Sequence, residues 1–316
     1  MPPAGTPATL QTTVSNEDCL HVSVWTPTTK SSKPWPVFAW IHGGGYIEGT
    51  IFSQYYDGRY ISLLGDVVVV SINYRLDTFG FLYFGTHDSP GNMGLHDQIL
   101  ALKWIQENIA HFGGDPASVT LGGESAGSFS VGSLLLSPLA SGLFHRAIMQ
   151  SGAPNSYSGS SDPNHGLEVT KQFAAFLKCP QSDDLSKALS CLRQKSVPEL
   201  LNARVSSGII NLSPVWGDLD GQMPIRPVEA LKGGHFNHNI DLLYGINKNE
   251  GSSFLVQLFN LPQFNPDQPA ALTLDNTKQL ITLLMGGFGD HNPSEVAEYY
   301  TRNFSGSDQD EMRLLM

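Results

Sequence analysis

Long apolar runs are missing from this sequence. The strongest, Val67–Ile72, is interrupted by Ser71 and falls far below the ~20 residues that a membrane-spanning helix needs. Positive charge is also scarce. Only 18 Lys and Arg stand against 29 Asp and Glu, for a formal net charge of −11. No basic stripe is available to neutralise phosphates, which excludes nucleic acid as a partner. Cysteine is limited to Cys19, Cys179 and Cys191. Cys179 and Cys191 close a small loop if they are bonded, leaving Cys19 odd. Three buried thiols in a cytosolic enzyme fit the spacing equally well. Residues Met1-Pro2-Pro3-Ala4-Gly5-Thr6-Pro7 lack the charged and apolar regions of a signal peptide. No two histidines combine ligand spacing with a carboxylate partner, so neither a metal nor a cofactor is expected.

What is present suffices for a sizeable core. The chain has 316 residues, 41% of them apolar, an ordinary globular composition. Short β-rich runs stand at Leu20–Trp25, Val37–Ile41, Val67–Ile72, Val119–Leu121, Arg146–Met149 and Asp241–Tyr244. Helical patterns lie between several of them, at Leu95–Ile109, Gly127–Leu136 and Leu167–Leu177. The stretch Asn155–Asn164, rich in Ser, Gly, Pro and Asn, reads as a loop. Residues 183–316 read as mainly helical apart from the strand near Leu243. Such alternation predicts an α/β fold with a mostly parallel central sheet flanked by helices.

The chemistry concentrates in two glycine-rich segments. Val119-Thr120-Leu121 leads into Gly123-Glu124-Ser125-Ala126-Gly127, and a helical pattern follows. This is the strand–turn–helix context of a nucleophile elbow, in which a strained turn lifts a serine hydroxyl above the sheet. Alone, the pattern also fits a glycine-rich turn before an ordinary helix. The second segment decides between them. Val37–Ile41 ends in His42-Gly43-Gly44-Gly45, the loop type that supplies further oxyanion N–H donors in lipases and esterases. Consecutive glycines let backbone N–H groups approach a substrate closely.

These residues, with others along the chain, resemble the type-B carboxylesterases, the group that includes the cholinesterases. The likeness begins at Asn16-Glu17-Asp18-Cys19-Leu20 and continues through Asn73-Tyr74-Arg75, Gly80-Phe81-Leu82 and Pro90–Gln98. It extends through Phe112-Gly113-Gly114-Asp115-Pro116, Gln150-Ser151-Gly152 and Gly245–Gly251. The resemblance implies an α/β-hydrolase fold and a serine esterase acting through an acyl-enzyme. Ser125 matches the nucleophile, Gly44, Gly45 and Ala126 the oxyanion donors, and Glu250 the triad acid. Chain order agrees, because this fold runs Ser, Asp/Glu, His. Glu124 has two readings: a carboxylate that holds the elbow, and an anionic substrate contact for a cationic group. Cys179 and Cys191 match a short-loop disulfide of the family, and Cys19 matches a cysteine whose partner lies upstream of Met1.

The triad histidine finds no match. After Glu250 the chain has only His291, and Asp290-His291-Asn292-Pro293 reads as the start of a helix, not as the loop after a strand. Catalytic domains of this family extend beyond both ends of the chain. The expectation is therefore a single α/β-hydrolase domain over residues 1–316, partial at both ends, and inactive by itself for want of the base. In cholinesterases bulky aromatics precede the segment matching Pro214-Val215, where this chain has Gly208-Ile209-Ile210-Asn211-Leu212. The first reading is thus a general carboxylesterase taking small-molecule esters, with a cholinesterase second. A non-catalytic adhesion module of the same family is the alternative from another class, and retention of Ser125 argues against it. The family implies a secreted glycoprotein, with Asn303-Phe304-Ser305 as a glycan sequon.

Overall fold

The computed structural model describes residues 16–28, 31–156, 159–180, 185–207, 212–217, 220–248, 250, 273–285 and 292–303. The chain divides into two compact units, Met1–Gly245 and Ile246–Met316.

The first unit is built on a six-stranded sheet. In chain order its elements are β1 (Val22–Trp25), β2 (Trp35–Ile41), α1 (Arg59–Gly65), β3 (Val68–Ile72), α2 (Asp77–Phe81), α3 (Met93–Asn108), β4 (Gly114–Glu124) and α4 (Ala126–Leu136). There follow β5 (Arg146–Gln150), α5 (Pro163–Phe176), α6 (Leu185–Leu192), α7 (Val197–Ser207), α8 (Pro227–Gly233) and β6 (Asp241–Gly245). The strand order is β1-β3-β2-β4-β5-β6. β1 runs antiparallel to β3, and all other neighbours are parallel. Helices flank the sheet, as in an α/β-hydrolase.

Every residue of β3 is buried, which explains why Val68-Val69-Val70 reads as a continuous apolar run without alternation. β6, the outer strand, is exposed along its length. β4 (Gly114–Glu124) is longer than the expected Val119–Leu121 at both ends: Asp115-Pro116-Ala117-Ser118 carry no strand pattern before it, and Gly122 and Gly123 hide the pattern after it. A Cβ on Gly122 would lie 2.6 Å from the Phe38 ring, and one on Gly123 would lie 2.4 Å from the Gly127 carbonyl carbon. The glycines are there for close approach, not for a turn. α5 begins earlier than its pattern, at Pro163. Asp162 caps it by accepting from Asn164 N–H at 2.9 Å and His165 N–H at 3.1 Å, so the end of the expected Asn155–Asn164 loop is helical.

The topology fixes where a site can form. From β2 the chain crosses to β3 on one side, and from β4 through α4 to β5 on the other. The carboxyl ends of β2 and β4 are therefore neighbours at the switch point of the sheet, where α/β folds place their ligands. Ile41 pairs with Gly123 across that boundary, so the segments after each strand emerge side by side.

In the second unit two helices are described, α9 (Leu274–Met285) and α10 (Pro293–Thr301). Lys278 Nζ meets the Glu298 carboxylate at 2.8 Å and links them. α10 starts where the sequence signalled. Asn292 caps it by accepting from Ser294 N–H at 3.1 Å, with Pro293 in the first turn.

Candidate active site

Ser125 stands between β4 and α4 with φ 55° and ψ −121°. A non-glycine residue there costs roughly 1–3 kcal/mol and persists only where its surroundings impose it. They do so here. The Ser125 N–H donates to the Gln150 carbonyl at 2.9 Å, and the Ser125 carbonyl accepts from Phe129 N–H at 2.9 Å. A Cβ on Gly127 would lie 2.1 Å from the Ile41 carbonyl oxygen, and one on Gly152 would lie 2.7 Å from the Ser125 carbonyl oxygen. The elbow is thus wedged between β2 and the Gln150-Ser151-Gly152 segment, with glycine at each pinch point.

α4 is buried almost all round. Its serines are all hydrogen-bonded: Ser128 Oγ donates to the Gly152 carbonyl at 2.7 Å, Ser133 Oγ to the Phe129 carbonyl at 2.9 Å, and Ser130 Oγ accepts from Gln98 Nε2 at 3.1 Å. Ser125 occupies the N-cap position, yet its side chain caps none of the first amides. The hydroxyl is left for another use, and Ala126, the first residue of the helix, is among those whose N–H has no intrahelical acceptor. The positive end of the helix dipole lies at the same place.

The glycine loop meets this elbow directly. A Cβ on Gly43 would lie 3.2 Å from Ser125 Cβ, 2.7 Å from the Glu124 carbonyl oxygen and 2.9 Å from Glu124 Oε2. Gly44 and Gly45 take φ 106° and 61°, the left-handed region that glycine enters without steric cost. The Gly44 carbonyl accepts from Ile47 and Glu48 N–H, both at 3.0 Å.

Behind the loop lies His42, fully buried. Its ring stacks on Tyr74 at 4.7 Å and on Tyr56 at 6.0 Å between centroids. Burial pushes its pKa down, and the hydrogen bond to the Gly43 carbonyl opposes this only in part. Burial also raises the Tyr56 phenol, and the negative charges of Glu124 and Glu48 add to the rise against a favourable Gly43 backbone contact. The Glu124 carboxylate lies beside the glycine loop, and its charge is felt at Tyr56.

The structure brings together Ser125, Glu124, Ala126 and the glycine loop. Glu250 belongs to the second unit, where its Oε1 accepts the Asn247 N–H at 2.6 Å. His291 lies outside the described residues. Cys179 and Cys191 are bonded, with Cα atoms 5.7 Å apart, and Cys19 is a half-buried free thiol. Among the described residues no cluster of His, Cys, Asp or Glu could hold a metal ion, and no helix is long and apolar enough to cross a membrane.

Sequence reasoning missed several supports of the site. Tyr74 lies in the quoted Asn73-Tyr74-Arg75 segment, but neither it nor Tyr56 carries a signal for the contact with His42, which arises only through the fold. Asp77, itself at φ 55°, accepts from Arg204 Nε at 2.7 Å across 127 residues, while its N–H donates to the Tyr46 carbonyl at 2.7 Å. That chain ties α7 to the segment just after Gly45. Asn92 holds Val215 from both sides, accepting its N–H at 2.7 Å and donating to its carbonyl at 2.8 Å.

A parallel-rich sheet with a strained serine elbow beside a three-glycine loop defines an α/β-hydrolase. Comparison with known proteins is more specific. A family profile described as "Carboxylesterase family" matches residues 2–315, and the chain belongs to that family. It is 38% identical over 296 residues to an acetylcholinesterase of Danio rerio, covering 91% of this chain and 46% of the relative. It is 40% identical over 272 residues to an acetylcholinesterase of Electrophorus electricus, covering 84% and 42%. To a cholinesterase of Mus musculus it is 39% identical over 293 residues, covering 90% and 47%. The chain thus spans somewhat less than half the length of these relatives.

Proposed function

We propose that this chain carries the nucleophile and oxyanion hole of a serine carboxylic-ester hydrolase, with Ser125 as nucleophile and Gly44, Gly45 and Ala126 as oxyanion donors. One observation supports this most: the left-handed Ser125 backbone and the Gly43 loop meet within contact distance, although 82 residues separate them in sequence. Attack of Ser125 Oγ on the ester carbonyl forms a tetrahedral oxyanion. Three preorganised backbone N–H groups stabilise it, each worth about 100- to 1,000-fold in rate. Collapse expels the alcohol and leaves an acyl-serine, which water hydrolyses.

Glu250 is assigned as the acid that orients a histidine base and stabilises its imidazolium. The base itself is a histidine later in the fold's order than Glu250, and His291 does not match the family's catalytic loop. A general carboxylesterase of small esters is the first reading, acting outside the cell. A choline esterase is the second. It is supported by the names of the relatives and by the Glu124 carboxylate beside Ser125, which suits a cationic leaving group.

A fluorophosphonate probe should label Ser125 in the full-length protein and abolish hydrolysis of p-nitrophenyl butyrate. Labelling elsewhere, with hydrolysis surviving Ser125→Ala, overturns the assignment. Preference for acetylthiocholine over the neutral ester, lost in Glu124→Gln, would select the second reading.

A further inference from the structure

We infer that His42 is a positioning residue of the oxyanion hole: its Nδ1–H holds the Gly43 carbonyl and thereby aims the Gly44 N–H. This rests on the oxyanion role proposed above for Gly44. His42 Nδ1 lies 2.8 Å from the Gly43 carbonyl oxygen. A carbonyl oxygen can only accept, so Nδ1 carries the hydrogen, and the neutral ring is in the Nδ1–H tautomer. The other nitrogen, Nε2, is buried with no hydrogen-bond partner among the described residues.

Consequences for the loop follow from peptide geometry. The Gly43–Gly44 peptide is planar and trans, so its C=O and N–H point in opposite directions. Holding the Gly43 oxygen from behind turns the Gly44 N–H toward the opposite side. The next peptide is pinned in the same way, because the Gly44 carbonyl is held by Ile47 and Glu48 N–H. That second pin comes from backbone alone. The first depends on a single side chain.

The ring has little freedom to leave. Tyr74 and Tyr56 stack on it. Gly49, at φ 120°, presses its bare Cα against the same edge, since a Cβ there would lie 2.4 Å from Nδ1. The Tyr74 hydroxyl donates to the His42 carbonyl at 2.9 Å and fixes the backbone from which the ring projects. Tripeptide glycine without such a brace would sample many orientations, each misdirecting the donor.

The test compares His42→Asn with His42→Phe in the full-length protein. Asn places an amide N–H near the position of Nδ1, whereas Phe keeps the stacked ring and loses the donor. The expected result is a ~10- to 100-fold lower kcat for His42→Phe with KM within about threefold, and recovery of most of the loss by His42→Asn. Affinity for a trifluoromethyl ketone, which mimics the tetrahedral oxyanion, should fall in step with kcat. Wild-type kcat in His42→Phe overturns the inference. So does an equal loss in both variants that tracks a lowered thermal midpoint, because that is packing alone. Failure of the Ser125 assignment shows up separately, as hydrolysis that survives Ser125→Ala in the wild-type His42 background. That result removes the oxyanion-hole reading and this inference with it.

Discussion

Replacing Gly43 with alanine probes the contact on which the site depends. The added Cβ would sit 2.7 Å from the Glu124 carbonyl oxygen, 2.9 Å from Glu124 Oε2 and 3.2 Å from Ser125 Cβ. Ordinary contact needs about 3.4 Å, so the carbonyl and the loop must part by about 0.7 Å. The carboxylate can swing aside, but the carbonyl belongs to the last residue of β4, which pairs with Gln150, and cannot yield cheaply. Overpacking of this kind costs about 1–3 kcal/mol. At about 2–4 °C per kcal/mol, the thermal midpoint should fall by roughly 2–12 °C. A displacement near 1 Å at a reacting centre costs about 100-fold in rate. The rate of fluorophosphonate labelling at Ser125 should therefore fall by about that factor, well beyond what the modest loss of stability explains. Gly65→Ala is the control, since its Cβ would meet only Val67 at an ordinary 3.5 Å. A Gly43→Ala variant that labels within twofold of wild type would refute the claim that the glycine loop and the elbow are in contact.

The remaining expectations concern stability. The Cys179–Cys191 bond closes a loop of sequence separation 12; its removal should cost about 3 kcal/mol on chain entropy, read as a shifted urea midpoint. Peptide maps in which both cysteines are alkylated in the native, unreduced protein would contradict the bond. Arg204 and Asp77 form a pair whose side chains are 14% and 7% exposed. Arg204→Met should cost about 3–5 kcal/mol by stranding the carboxylate, and a loss under about 1 kcal/mol would show that Asp77 is satisfied without it. His42 has its folded pKa below the ordinary value near 6.5 because of burial. Only the unfolded chain then takes up its proton between the two values, so stability falls with acidification. The His42 contribution is fully present above about pH 6.5 and is lost as pH drops toward the folded value, with Tyr56 and Tyr74 the titratable rings facing it. His42→Asn should flatten that limb of a midpoint-against-pH curve, and an unchanged curve would place the acid sensitivity elsewhere.

Much of the architecture was legible in the residues themselves. All six strands of the sheet were visible as short β-rich runs; in β3 burial forces apolar side chains at successive positions, and in β2 at alternate ones. The elbow and the glycine loop were visible because close backbone approach excludes every residue but glycine. The start of α10 was visible because Asn292 and Pro293 cap locally. Each of these signals is written within a few neighbouring residues. Strand order, by contrast, is set by pairings between distant segments, and only the fold placed the ends of β2 and β4 side by side at the switch of the sheet. β4 looked shorter than it is because its first residues are polar and include Pro116, while at its other end the glycines that admit α4 weaken the strand pattern. Cys179 and Cys191 were compatible with two redox states until their positions were known. The histidine of the glycine loop could be read as part of a motif, but its tautomer depended on the Gly43 carbonyl facing Nδ1, and the seat of its ring on two tyrosines brought in from residues 56 and 74. Local chemistry selected the elements; long-range packing decided which of their atoms face one another.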